Sequence, residues 1–203
     1  MARFSNIVGR YVYLDVEGIE YRVYFEEAGE GIPLVCQHTA GSDGRQYRHL
    51  LEDKDITSRY RVIALDLPLH GKSLPPVENR YWEDEYKLTK DWFMKFWISF
   101  VKELDLFQPV FMGCSMGGHL AADLACHYPD EFRACIGLES SCHSGGFDKM
   151  FQKWWRHPRL SNDTKAAMML SLCSPHSPET NIRETVWAYS QGAPPVFSGD
   201  LNY

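Results

Sequence analysis

Apolar residues fall along this chain in two rhythms. Between Tyr11 and Phe25 they alternate with polar ones on either side of Glu17-Gly18, the period-two pattern of two half-exposed strands joined by a tight turn. Ile32–Cys36, Arg61–Leu65, Pro109–Met112 and Ala134–Leu138 are short apolar runs bounded by polar, Gly or Pro residues, which suits buried strands. Helical stretches lie between them. In Leu88–Leu106, Phe93, Trp97, Phe100 and Leu104 recur at helical spacing on one face, with Lys90, Asp91, Lys102 and Glu103 elsewhere; this predicts a helix packed on a sheet rather than an aromatic ligand box. Met116–His127 reads as a second helix, ended by Tyr128-Pro129. A hairpin followed by alternating strand and helix predicts an α/β fold with a mainly parallel central sheet flanked by helices. After Ser140 the pattern changes. Gly145-Gly146 opens an aromatic segment (Phe147, Phe151, Trp154, Trp155), and Asp163–Leu172 and Ser177–Ser190 are helix-like. No further buried strand run follows, so residues 1–140 are read as the core and 141–203 as a helical lid.

Composition narrows the function classes. The 203 residues carry a formal net charge of −6, with no basic stripe to displace counterions, so a nucleic-acid partner is not expected. The N-terminus, Met1–Arg10, has no apolar signal-like run, and the most apolar stretch, Trp92–Val101, is short and interrupted by Lys95. Neither a secretory leader nor a membrane span is expected, and the protein is read as cytoplasmic. None of Cys36, Cys114, Cys126, Cys135, Cys142 and Cys173 is spaced as C-x-x-C. Buried free thiols are expected, without metal.

Gly113-Cys114-Ser115-Met116-Gly117 is a G-x-S-x-G motif, preceded by the Pro109–Met112 run and followed at once by a helical pattern. That strand–turn–helix setting is what the motif needs, because a sharp turn projects the serine hydroxyl while the glycines relieve crowding. The first N–H groups of the helix also face developing negative charge. Upstream, Gln37-His38-Thr39-Ala40-Gly41-Ser42-Asp43 follows the first buried run, and Asp66-Leu67-Pro68-Leu69-His70-Gly71-Lys72-Ser73 follows the second.

These three segments, in this order, resemble the α/β-hydrolase superfamily, in its lid-bearing branch of esterases, lactonases and carbon–carbon bond hydrolases. The loop at His38 is similar to that family's His-Gly-x oxyanion turn, with Thr39 in place of Gly. Asp66–Ser73 is similar to its Asp-x-Pro-Gly-His-Gly-x-Ser loop, with Leu69 in place of Gly. The resemblance spans residues 11–140 and reaches the lid by position alone. It implies Ser115 as nucleophile and the backbone N–H groups of Ala40 and Met116 as the oxyanion hole, with no metal or organic cofactor. It also implies that epoxide opening and halide displacement, which need an Asp where Ser115 stands, are not the activity. His70 and His38 are expected to hold their loops, and His119 and His127 to point away from the site.

The family order of nucleophile, acid and His is not completed here. One expectation is that the remaining strands, acid and His arrive on another segment or chain. Another places the acid at Glu139, at the end of the strand after the nucleophile helix, with His143, His157 or His176 as base; a base on the acid's own loop would have difficulty reaching Ser115. A third is a non-catalytic small-ligand binder on a hydrolase scaffold. The reading adopted is hydrolysis of an ester-like bond of a small substrate through an acyl-enzyme on Ser115. A carbon–carbon bond hydrolase shares the same core. Trp154, Trp155, Trp187, Phe147, Phe151 and Tyr189 suggest an apolar or aromatic substrate, or equally a lid sealed to its core.

Overall fold

The computed structural model describes residues 2–76, 80, 83, 85–141, 162–193 and 196–203. Strands β1 (Val8–Val16) and β2 (Ile19–Ala28) pair antiparallel as the hairpin expected from their alternation. Glu17 and Gly18 turn the chain with φ of 57° and 79°, the left-handed pair that a two-residue hairpin loop demands. Strands β3 (Ile32–Gln37), β4 (Tyr60–Leu65), β5 (Val110–Cys114) and β6 (Ala134–Leu138) then run parallel. The sheet order is β1-β2-β4-β3-β5-β6.

Successive side chains of the inner strands feed two different cores, which is why those strands read as unbroken apolar runs. Val35, Ile63, Leu65 and Phe111 point to one side; Leu34, Cys36, Val62, Ala64 and Val110 point to the other. On that second side lie a 3-10 turn (Gly44–Tyr47) and two short helices, α1 (Arg48–Glu52) and α2 (Lys54–Thr57). The first side is closed by α3 (Lys90–Glu103) and α4 (Met116–His127). Thr89 caps α3 by accepting from Trp92 N–H, so the helix starts two residues later than its apolar pattern. Phe93, Phe96, Trp97 and Phe100 are fully buried on it, each contributing about 1.5–3 kcal/mol of transfer free energy. The Trp97 ring meets Phe111 edge-on at 4.9 Å.

The described remainder is helical: α5 (Asn162–Leu172), α6 (Glu179–Ala188) and α7 (Val196–Asp200). Phe147, Phe151, Trp154, Trp155, His143 and His157 lie outside the described residues. One strand expectation needs correction. Ala134–Leu138 has the composition of a buried strand, yet β6 ends the sheet among the described residues, and Ile136 and Leu138 are 40% and 39% exposed. An apolar run reports what the side chains prefer, not which neighbours they obtain. The cysteines are also less uniform than expected. The five described ones are free, Cys36 is buried and Cys126 is exposed. No described helix is long and apolar enough to cross a membrane.

Candidate active site

The chain goes from β3 to β4 on one side and then crosses to β5 on the other. In open α/β sheets the crevice at such a reversal, beyond the carboxyl ends of the strands, is where ligands bind. The loops after β3 and β5 part there, and these carry residues 38–43 and Ser115.

Ser115 joins β5 directly to α4 with φ 52° and ψ −110°, outside the regions an L-residue ordinarily visits. Such strain costs on the order of 1–3 kcal/mol and persists only where surroundings hold it. Here Ser115 N–H donates to Leu138 O at 2.8 Å, and Ser115 O accepts from Gly118 N at 2.9 Å and His119 N at 3.0 Å. The flanking glycines have measurable reasons. A Cβ on Gly113 would lie 2.1 Å from Gly117 O, one on Gly117 2.8 Å from Gln37 O, and one on Gly118 2.5 Å from Ser140 Oγ. Ser115 Oγ makes no hydrogen bond among the described residues, and neither Ala40 N–H nor Met116 N–H finds an acceptor there. Both amides belong to buried residues at the edges of the crevice.

The turn carrying Ala40 is fixed from several directions. Gln37 is fully buried; its carbonyl accepts from Tyr47 OH at 2.7 Å, its Oε1 from Trp97 Nε1 at 3.0 Å, and its Nε2 donates to His38 O at 2.9 Å. Thr39 N–H donates to Gln46 Oε1 at 2.8 Å, Ser42 N–H to Thr39 O at 3.2 Å, and Gly41 N–H to Asp200 Oδ2 at 2.8 Å.

The loop after β4 is built around Asp66. Its carboxylate accepts from Gly44 N at 2.8 Å and Lys72 N at 2.7 Å, while Ser73 Oγ donates to its carbonyl at 2.6 Å. Burial and the neighbouring Asp43 push the Asp66 carboxyl up to about 6. A Cβ on Gly71 would lie 2.2 Å from Asp66 Oδ2. Leu69, which stands where the family pattern has Gly, holds φ at 72°.

His38 and His70 lie ring against ring, with centroids 5.0 Å apart, in opposite protonation states. His38 Nε2 accepts from Leu67 N at 3.1 Å while Nδ1 faces Thr39 O at 2.8 Å; one acceptor and one donor position define a neutral imidazole. Burial and the nearby His70 lower its pKa to about 4. His70 instead has acceptors at both nitrogens, Pro68 O at 3.0 Å and Asp200 Oδ2 at 2.9 Å, and so carries both ring protons. Burial pulls its pKa down most strongly, but the Asp200 carboxylate, the Pro68 carbonyl and Asp66 together outweigh it and raise the pKa. Both rings are occupied in holding loops, and neither is hydrogen-bonded to Ser115.

Glu139 is exposed, with φ 49°, and accepts the Cys114 thiol at 3.9 Å. No hydrogen bond joins it to Ser115 or to a described histidine. His176 is exposed, His119 is half-buried on α4 and His127 is exposed at its end. Of the aromatics expected in the lid, Trp187 is 53% exposed under the Arg45 guanidinium, 4.0 Å from its ring centroid. Tyr189 packs against Phe197 at 6.3 Å. Among the described residues no group of three or more His, Cys, Asp or Glu side chains could hold a metal. Asp200, Gln37 and Gln46 escaped the motif reading. A lone acid at the end of an uncharged stretch gives no local signal, because its side-chain partners lie 114, 130 and 159 positions away.

Residues 32–176 match the family described by the alpha/beta hydrolase fold. The chain belongs to that family. This α/β hydrolase chain is 32% identical over 120 residues to the bifunctional epoxide hydrolase 2 of Sus scrofa, a stretch covering 59% of this chain and 20% of that protein. It is 32% identical over 119 residues to the pimeloyl-[acyl-carrier protein] methyl ester esterase of Aeromonas hydrophila, covering 59% of this chain and 42% of that one. The matched stretch is thus less than half of either relative. Among solved structures, the α/β hydrolase chain is similar in fold to a thermophilic esterase from Thermogutta terrifontis. The TM-score is 0.77 and the identity 19%, over 95% of this chain and 71% of that one.

Proposed function

We propose that the protein is a serine hydrolase cleaving an ester-like bond (ester, thioester or lactone) of a small apolar or aromatic substrate. The observation that carries this is the strained Ser115 turn at the sheet's reversal, with the Met116 and Ala40 amides unengaged by any described acceptor. In this reading Ser115 Oγ adds to the substrate carbonyl as a base takes its proton. The two amides hold the oxyanion, and the leaving group departs with the proton. Water, activated by the same base, then releases the acyl group from Ser115. Losing one oxyanion donor costs about 3–4 kcal/mol of transition-state stabilisation.

Serine at this turn argues against epoxide opening, despite the name of one relative; the ester-cleaving relative supports the acyl-transfer reading. His38 and His70 have both ring nitrogens engaged elsewhere, so neither is assigned as the base. Residues 1–140 are assigned as the core and 141–203 as a lid segment whose last residues return to that core, Tyr203 meeting Phe93 of α3 at 5.2 Å, with the exposed β6 edge receiving a further strand. Hydrolysis of a panel of aryl and alkyl esters, thioesters and lactones tests the proposal. Turnover of at least one class, lost in Ser115→Ala, is expected; undiminished turnover in that variant overturns it.

A further inference from the structure

The helix before the end of the described chain reaches back to the oxyanion turn through one carboxylate. Asp200 is fully buried, and among the described residues each hydrogen bond of its carboxylate ties a different segment. Its Oδ2 accepts from Gly41 N–H at 2.8 Å and from His70 Nε2 at 2.9 Å, and its Oδ1 from Tyr86 OH at 2.9 Å. Both side chains of the His70–Asp200 pair have no solvent exposure. A buried carboxylate is tolerable only where donors and an opposite charge replace its lost hydration, and His70, held between two acceptors, supplies that charge. The same helix presses on Gly41 from its other face. A Cβ on Gly41 would lie 2.3 Å from Phe197 Cδ2. Gly41 is therefore gripped between a ring and a carboxylate of α7, immediately after Ala40, whose N–H is assigned above to the oxyanion hole.

The 66–73 loop is locked into the same assembly. Gly71 N–H donates to Gln191 O at 3.1 Å and Ala193 N–H to Leu69 O at 3.0 Å. Among the described residues, the charged and titratable groups acting on the His70 ring include Asp200, Asp66 and the neutral His38. The chain after α6 thus converges on one buried ion pair, and that pair bonds the turn bearing Ala40.

We propose that Asp200 is a positioning residue of the oxyanion hole: its buried ion pair with His70 anchors Gly41 N–H and so aims the Ala40 N–H into the crevice. This rests on Ser115 and Ala40 acting as assigned above. A donor displaced by a fraction of an ångström weakens oxyanion stabilisation while leaving ground-state binding nearly untouched, so the effect falls on kcat.

The test compares Asp200→Asn, which keeps size and an acceptor but removes the charge, with Asp200→Ala in the full-length polypeptide. Readouts are kcat and KM on the best ester of the panel, hydrogen exchange of the Gly41 amide, and the 15N signals of the His70 ring. Wild type is expected to show a protected Gly41 amide and a doubly protonated His70 at pH 7. Asp200→Asn is expected to neutralise His70 at that pH and lower kcat about 10-fold, and Asp200→Ala to lower it about 100-fold, with KM within 3-fold in both. Wild-type kcat in a folded Asp200→Asn variant whose His70 is neutral, or a loss confined to KM, overturns the inference and leaves the hydrolase reading standing. A wild type that turns over no ester overturns both together. Should Asp200→Ala not fold, Asp200→Asn alone decides.

Discussion

Gly113→Ala puts one methyl where the elbow has no room. The added Cβ would sit 2.1 Å from Gly117 O, 2.2 Å from Gly117 C and 2.7 Å from Gly117 Cα. All three are backbone atoms of the first turn of α4, so no side chain can rotate away. Carbon contacts settle near about 3.5 Å, and relief requires β5 and α4 to separate by roughly 1 Å. Overpacking costs about 1–3 kcal/mol, and a clash with backbone on both sides belongs at the upper end, about 3 kcal/mol. With a urea m-value of roughly 1–3 kcal/mol/M, the midpoint falls by about 1–3 M. The same opening moves Ser115 relative to the amides, and a 1 Å misplacement costs about 100-fold in rate. Urea unfolding followed by tryptophan fluorescence reads the first effect, and ester hydrolysis reads the second. Gly18→Ala is the control: its Cβ meets nothing within 4 Å, but φ is +79°, so it carries backbone strain alone, about 1–2 kcal/mol, and no loss of rate. A Gly113→Ala protein with wild-type midpoint and turnover would refute the steric account of the elbow.

Ser115→Gly should relieve the strain at φ 52° and raise stability by about 1 kcal/mol while abolishing turnover; a lower urea midpoint than wild type would contradict it. Leu69→Gly, at φ 72°, should be neutral to stabilising by up to about 1 kcal/mol, and destabilisation beyond that would show that the Leu69 side chain matters more than its backbone. His38 supplies a pH test. Its folded pKa of about 4 lies below the unfolded value of 6.5, so the unfolded chain binds the extra proton and stability falls as pH drops from 6.5 towards 4. At about 1.4 kcal/mol per unit, His38 removes about 2–3 kcal/mol between pH 7 and pH 4.5. The pH 7 to pH 4.5 difference in unfolding free energy should shrink by that amount in His38→Gln, and an unchanged difference would refute the assignment. Asp66 works in the opposite sense: its carboxyl, raised to about 6, favours folding as pH falls through 6. For that reason the variant comparison, not the wild-type curve, isolates His38.

What the sequence made legible was local or repetitive. The alternation around Glu17-Gly18 announced the hairpin, and the unbroken runs at Ile32–Cys36 and Arg61–Leu65 announced strands buried on both faces, because the two cores take alternate residues. The elbow was legible because its glycines answer to atoms only a few residues away or on the next strand. Short helices were not: α1, α2 and α7 span too few residues for an apolar period, although Asp53, which caps α2 by accepting from Asp55 and Ile56 N–H, was a visible local signal. Motif resemblance located His38 and His70 as loop-holding residues, but their opposite protonation states depend on partners across the fold. The ion pair at Asp200 lay beyond any sequence pattern for the same reason.

The most direct test of the central claim is intact-mass spectrometry of the full-length polypeptide after treatment with a fluorophosphonate, followed by peptide mapping. A single adduct on Ser115, absent from Ser115→Ala, is the predicted result. No adduct, or one on another residue that persists in Ser115→Ala, would contradict the assignment of Ser115 as nucleophile.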